Sequence, residues 1–189
     1  MSTAPIISNL YAERIDPDAI DGLLQEMAAG DQEAFAALYH LTHPAVYGFA
    51  LSILRNSHDA EDVAQEVFVR AFLGAGQYRA KGKPMAWLLT IAKHLAYEKR
   101  RGDGRVTELP DGAWLDQAEE LSSEEKMVLR AAMETLSEEE RQIVALHAVA
   151  GFKHRETAAL LDLALPTVLS KYHRALKKLR EKLKECEES

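Results

Sequence analysis

Apolar residues recur at helical spacing through nearly the whole chain and never alternate over a sustained run, so the pattern predicts an all-α protein. Ala60, Val63, Ala64, Val67 and Ala71 make one such stripe, and Leu88, Ile91, Ala92 and Leu95 make another. Start and stop signals divide the helices. Asp16 before Pro17 reads as an N-cap with proline in the first turn, and Gly30-Asp31 closes that helix and caps the next. Pro44 is expected to open a third helix running to Arg55. Asn56-Ser57 caps a long helix ending near Gly74, and Pro84 starts one that Gly102-Asp103-Gly104 terminates. Two capping boxes follow, Ser122 with Glu125 and Ser137 with Glu140. Gly151 ends the helix after the second box, a short helix reaches about Leu161, and a last one runs from Pro166 to about Lys184.

The glycine, proline and acid content of residues 102–121 marks a linker, so the expected organisation is two small helical domains joined by an acidic connector, the second containing a helix-turn-helix. An extension covers residues 1–19, a first domain 20–101, a second 122–184 and a tail 185–189. A chain of 189 residues can bury a core in each. The composition, 47% hydrophobic and 28% charged, is that of ordinary globular material. No apolar run approaches the roughly 18 residues of a membrane span, and the first residues lack the pattern of a signal peptide, so a cytoplasmic protein without membrane insertion of its own is expected. The single cysteine, Cys186, excludes a disulfide framework, and neither a metal-ligand cluster nor a phosphate loop or nucleophile constellation stands out, so no cofactor and no enzymatic reaction are expected.

The net charge of −7 is unevenly distributed. Residues 79–101 carry Arg79, Lys81, Lys83, Lys93, Lys99, Arg100 and Arg101 against Glu98 alone. Residues 153–184 carry nine cations against Glu156, Asp162 and Glu181, whereas residues 108–125 hold seven acids and no Lys or Arg. Two basic modules therefore flank an acidic connector, a pattern suited to nucleic acid in spite of the negative total.

Three segments carry the candidate chemistry. On the helix after Asn56, the face opposite the apolar stripe holds Asp62, Gln65, Glu66 and Val69 and is trailed by Phe72, a mixed surface fit for a basic protein partner. After Pro84, Thr90, His94, Tyr97 and Arg101 fall on one helical face, flanked by Lys93 and Arg100: an aromatic ring, hydrogen-bonding groups and cations together suit unstacked bases and their phosphates. Trp87 fits either a stacking platform or the core. In the final motif Val168, Tyr172, Ala175, Leu176 and Leu179 can pack inward, leaving Thr167, Ser170, Lys171, His173, Arg174, Lys177 and Lys178 for a major groove and its phosphates.

In this order, "AEDVAQEVFVRAF", "WLLTIAKHLA" with Arg100-Arg101, "LSEEERQIVALHAVAGF" and "ETAALLDLALPTVLSKYHRAL" resemble a bacterial sigma factor of the compact extracytoplasmic-function (ECF) type. The resemblance spans roughly residues 20–183 and implies an alternative sigma factor that takes core RNA polymerase to promoter DNA and performs no reaction itself. It implies that Asp62, Gln65, Glu66 and Val69 dock on the clamp helices of the largest polymerase subunit. Residues 77–83, including Lys83, and Trp87, Thr90, Lys93, His94, Tyr97, Arg100 and Arg101 would grip the opening −10 element. Ser170, His173 and Arg174, with Arg155, Thr167, Lys171 and Lys178, would read and hold the −35 duplex while the second domain rides on the polymerase flap. An anti-sigma factor is an expected further partner. Lys153, Asp162, Pro166 and Leu169, and Lys93-His94, depart from the family pattern and leave promoter sequence open. A stand-alone helix-turn-helix regulator, which gives no role to residues 58–101, and a helical protein adaptor, for which the charges of Lys171, Arg174 and Lys178 would be dispensable, are the alternatives.

Overall fold

The computed structural model describes residues 15–79, 82–103 and 123–187, and the acidic linker and the Ser122 capping box lie outside them. The described residues form helices α1 (Pro17–Ala28), α2 (Gln32–Leu54), α3 (Ser57–Gly74), α4 (Pro84–Asp103), α5 (Ser123–Glu134), α6 (Glu138–Ala148), α7 (His154–Leu161) and α8 (Leu165–Glu187), with a 3-10 turn at Ala75–Gln77 and no strand among them.

The capping chemistry acts where the sequence places it. The Asp16 carboxylate accepts from the Asp18 amide at 3.1 Å with Pro17 in the first turn. Asp31 accepts from Glu33 at 2.8 Å, and Asn56 from Asp59 at 3.0 Å. Gly30 leaves α1 with φ +96°, a backbone that residues with a Cβ rarely adopt. The Pro44 expectation is corrected: α2 runs unbroken through it. Its ring removes one backbone bond, to the carbonyl four residues earlier, but His40 there is exposed to water. Thr42 and His43 before the proline and Ala45, Val46 and Tyr47 after it are buried and hold the helix on its course.

Helix α2 is the hub of the fold. It packs on α1, α3, α4 and also α6. From Ala45 to Ile53 every residue except Gly48 is buried, so this stretch is apolar on all sides and needs cover all round. The first unit supplies part of that cover through Leu24, Val67, Phe68, Leu88 and Leu89. The second supplies the rest: Leu146, Ala150 and Phe152, from α6 and the segment after it, belong to the same buried cluster.

The second unit has smaller cores of its own, in which Leu136, Val144, Ala175 and Leu179 join α6 to α8, and Ile143, Ala158, Val168 and Tyr172 join α6, α7 and α8. Its start is locked by the predicted box: the Ser137 amide donates to Glu140 at 2.9 Å, and the Ser137 hydroxyl accepts the Glu140 amide at 3.4 Å. Glu140 is only 2% exposed and also takes the Lys178 ammonium at 2.7 Å. Burial alone would push its carboxyl up, yet Lys178 and the Ser137 amide together hold it below its ordinary value. Beneath the helix-turn-helix the His147 and His154 rings stack at 4.6 Å, both against Tyr172. Burial, then the charges of His147 and His173, pushes the His154 imidazole down, and its Nδ1 has no hydrogen-bond partner.

Two stability predictions follow from these buried groups. Glu140→Ala removes half of the capping box and the partner of the part-exposed Lys178, and should cost about 1–3 kcal/mol in urea unfolding. Because Glu140 is depressed in the fold, its contribution is present above the ordinary carboxylate value of 4.5 and is lost as pH falls through the folded value, so wild type should lose its advantage over the variant in acid. His154 resists protonation in the fold, so an unfolded chain that binds the proton at about 6.5 is favoured as pH falls below that value. The melting temperature should therefore drop between pH 7.5 and 5.5, and His154→Leu should flatten that dependence.

Candidate polymerase and nucleic-acid interfaces

The outer face of α3 is exposed. Asp62, Gln65 and Val69 face solvent and Glu66 is half-buried, while the predicted stripe Ala60, Val63, Ala64, Val67 and Ala71 is buried. The same face continues through Phe72 and Leu73, one turn beyond Val69, giving a stripe at i, i+3, i+4, i+7, i+10 and i+11 from Asp62 that is exposed except at the half-buried Glu66. Val69 is 49% exposed, Phe72 47% and Leu73 74%, and with Leu41 they are the large apolar side chains left uncovered among the described residues. Leu73 is the member the sequence reading missed. Its spacing from Val69 was the available signal.

Two acids of this face have local partners. Lys99 of α4 meets Asp62 at 2.8 Å and Asp59 at 3.1 Å, and the Asp62–Lys99 hydrogen bond holds the Asp62 carboxyl below its usual range and the Lys99 ammonium above its own. Glu66 meets Arg70 at 2.8 Å along the helix. Asp62 thus ties α3 to α4 as well as facing outward.

Helix α4 presents the predicted polar stripe. Leu88, Ala92 and Leu95 are buried, while Thr90, His94 and Arg101 are exposed and Lys93, Tyr97 and Arg100 are half-covered. Trp87 is partly buried, 4.9 Å from the Tyr78 ring and against Gly74, so it packs with the core cluster rather than standing out as a platform. Tyr78 in turn donates to Asp21 of α1. Lys83 is exposed and lines a cleft of about 400 Å³ with Met85, Thr90, Phe152 and Lys153.

The half-covered members of the stripe are covered by the second unit. Arg100 pairs with Glu138 of α6 at 2.8 Å and lies 4.7 Å from the centre of the Tyr97 ring. The Tyr97 hydroxyl donates to Glu138 at 3.4 Å and accepts from Gln142 at 3.1 Å. Burial first, then the nearby Glu138 charge, raises the Tyr97 phenol, so it stays a donor at neutral pH. Lys93 donates to the Leu160 carbonyl, in the last turn of α7, at 2.7 Å, where the helix dipole favours a cation.

In the helix-turn-helix, Asp162 occupies the left-handed region at φ +57°, the conformation the missing turn glycine would have taken without strain. Asp is among the residues that tolerate it. Lys153 gives α7 no side-chain cap of its own, but the Glu156 carboxylate takes the Lys153 amide at 2.7 Å and closes the helix start from the other side. On α8, Val168, Tyr172, Ala175 and Leu179 are buried as expected, Leu176 partly so. Ser170, His173 and Arg174 line the exposed face, with Arg155 exposed on α7 and Thr167 half-buried. Lys171 pairs with Glu139 at 2.7 Å, and Lys178 is held by Glu140, so these two cations lean on α6 instead of standing clear.

No group of three or more potential metal ligands occurs among the described residues. No helix of the described residues is long and apolar enough to cross a membrane.

Known proteins match both units. The family profile described as Sigma-70 region 2 matches residues 38–106, and that of Sigma-70, region 4 matches residues 126–179. The chain is 31% identical over 173 residues to the ECF RNA polymerase sigma factor SigK of Mycobacterium ulcerans, covering 86% of this chain and 92% of that protein. It is 30% identical over 171 residues to the same-named protein of Mycobacterium tuberculosis, covering 85% of this chain and 91% of that one. Among solved structures, CnrH in complex with the cytosolic domain of CnrY superposes with a TM-score of 0.64 at 24% identity over 88% of this chain and 98% of that one. The sigma factor RpoE in complex with the anti-sigma factor NepR, from Bartonella quintana, gives 0.62 at 26% over 79% and 96%. With both sigma-70 regions matched in order and this level of identity over nearly the full length of its relatives, the chain belongs to the ECF sigma factors and is an alternative sigma factor.

Proposed function

We propose that the α3 face is where this sigma factor meets core RNA polymerase, with Asp62, Gln65, Glu66 and Val69 at its centre and Phe72 and Leu73 extending it. The observation that carries this is the gathering of uncovered apolar side chains on one helical stripe, beside acids, in an otherwise well-buried unit. An apolar strip rimmed by charge fits a protein partner, and its acids select a basic one, such as clamp helices. Helix α8 has no large apolar side chain as exposed as these.

The two cationic surfaces then serve DNA. Helix α4 with Lys83, Thr90, Lys93, His94, Tyr97, Arg100 and Arg101 would hold the −10 element as it opens, offsetting the few kcal/mol of extruding a base with cations and an aromatic face. Trp87 acts from behind, by supporting the start of α4. Ser170, His173 and Arg174 stand where a recognition helix reads base edges of the −35 duplex, and Arg155 and Thr167 lie beside them for phosphates. Lys171 and Lys178 would have to leave Glu139 and Glu140 to do the same. In this reading, residues 20–101 and 122–184 are the polymerase and −10 domain and the −35 domain, and the second rides on the polymerase flap. The chain directs and the polymerase performs the chemistry, in the cytoplasm. An anti-sigma factor fits as a further partner, since RpoE was solved bound to one, NepR. A stand-alone operator-binding regulator would leave the α3 strip without a use.

Run-off transcription with core polymerase on a pool of random promoters should yield start sites that share two upstream elements; start sites with no common element would refute the reading. Val69→Asp with Phe72→Asp should lower holoenzyme assembly by at least about tenfold with helix content unchanged by circular dichroism. Arg174→Ala should weaken binding to the selected −35 duplex by about 1–3 kcal/mol and relax it at one position. Arg155→Ala should weaken all sequences alike and reduce the salt slope by about 1.

A further inference from the structure

Two guanidinium groups where α2 ends and α6 begins lack an anion. Arg55 closes α2 with φ +57° and is half-buried, and Arg141, in the first half of α6, is only 7% exposed. The Nε of each is buried without a hydrogen-bond partner, and neither group forms an ion pair among the described residues. Arg141 has one tie, from Nη1 to the Leu136 carbonyl. Burial first, then the charge of Arg55, pushes the Arg141 guanidinium below its ordinary value, so the two cations are near enough to oppose each other. The charges of Glu138 and Glu140 act on Arg141 in the other sense, but each acid is committed elsewhere, to Arg100 at 2.8 Å and to Lys178 at 2.7 Å. Neighbouring cations drawn out of water without a counter-charge are costly, and an anion beside them offsets both the burial and the repulsion.

Arg141 also lines a pocket of about 50 Å³ whose walls are mainly apolar, with Leu51 from α2, Met133 from α5, Val144 from α6 and Leu179 from α8. The other cation of its lining, Arg130, has Glu134 at 3.7 Å. At about 10–15 Å³ for each water-sized group, the pocket holds roughly four of them. Water is a poor occupant, because it needs about two to four polar partners and these walls supply few. We propose that the pocket binds a short-chain organic carboxylate, with its charged end on the Nε of Arg141 beside Arg55 and a tail of about four carbons against Leu51, Met133, Val144 and Leu179. A planar carboxylate matches the guanidinium fork, and a bare inorganic anion would leave the apolar walls uncovered. None of the residues assigned to polymerase or DNA lines this pocket, so its occupancy is measured independently of those assignments.

Thermal unfolding and calorimetric titration of the full-length protein with sodium valerate test the site, against sodium acetate, pentanamide and sodium chloride at matched ionic strength. Valerate should raise the melting temperature saturably and bind in about the millimolar range, as a ligand of about seven non-hydrogen atoms can. Acetate, which lacks the tail, and pentanamide, which lacks the charge, should each bind at least about tenfold more weakly. Arg141→Met and Arg55→Met should each weaken valerate by at least about tenfold. Met133→Trp, which fills the pocket from a partly exposed position, should abolish the valerate shift without lowering the melting temperature of the unliganded protein. No saturable effect of valerate on the wild type would overturn the proposal, as would equal stabilisation by acetate or chloride. Valerate binding that is unchanged in both Arg55→Met and Met133→Trp would place the ligand elsewhere and overturn it too.

Discussion

The structure depends on how the second half of α2 is covered. The stretch Ala45 to Leu54 is apolar all round, and a helix of that kind is stable in water only if every side is packed. Its own unit covers the sides toward α1, α3 and α4, and α6 covers the remainder, with Val149 against Gly48. Burial of apolar area, worth roughly 25 cal/mol per Å² before chain entropy is counted, therefore joins two units that family resemblance would treat as independent. The charge contacts are laid over this seam. Arg100–Glu138 is half-exposed on both sides and by itself adds little, so its part is to set register and to occupy a surface more than to hold the units together.

The contacts laid over the seam draw on the polar stripe of α4. Lys93, Tyr97 and Arg100 are cationic or hydrogen-bonding, and those properties let Arg100 and Tyr97 meet a carboxylate and Lys93 donate to a helix-end carbonyl. Side chains that were apolar, or already satisfied within α4, could do neither. Glu140 shows the contrasting case. It is buried, doubly hydrogen-bonded and internal to the second unit, so its ion pair with Lys178 is structural. Adjacent acids of one helical turn thus have different work, decided by which face of α6 each occupies.

Much of this was legible in the sequence because local rules act locally. Caps at Asp16, Asp31, Asn56 and Ser137, the buried stripe of α3 and the inward set of α8 all appear where spacing puts them. Pro44 misled because proline was read as a start signal, whereas tertiary burial on both sides carried α2 through it. Trp87 could be read either way until Gly74 and Tyr78 were seen to receive it. The contact of Glu138 with Arg100 had no local signal at all, being a pairing between distant segments on opposite sides of the linker. Its trace in the sequence is indirect: "IVALHAVAGF" is apolar almost throughout, and its Leu146 and Phe152 are buried in the α2 cluster rather than in the second unit's own cores.

The central claim is that α6 covers α2 in the free protein. Small-angle scattering of the isolated full-length chain at physiological salt tests it most directly, through the distribution of pair distances. The account predicts a single-peaked distribution of one compact body that persists at higher salt, since the seam is apolar. A distribution with the separate second maximum of two tethered bodies would contradict it.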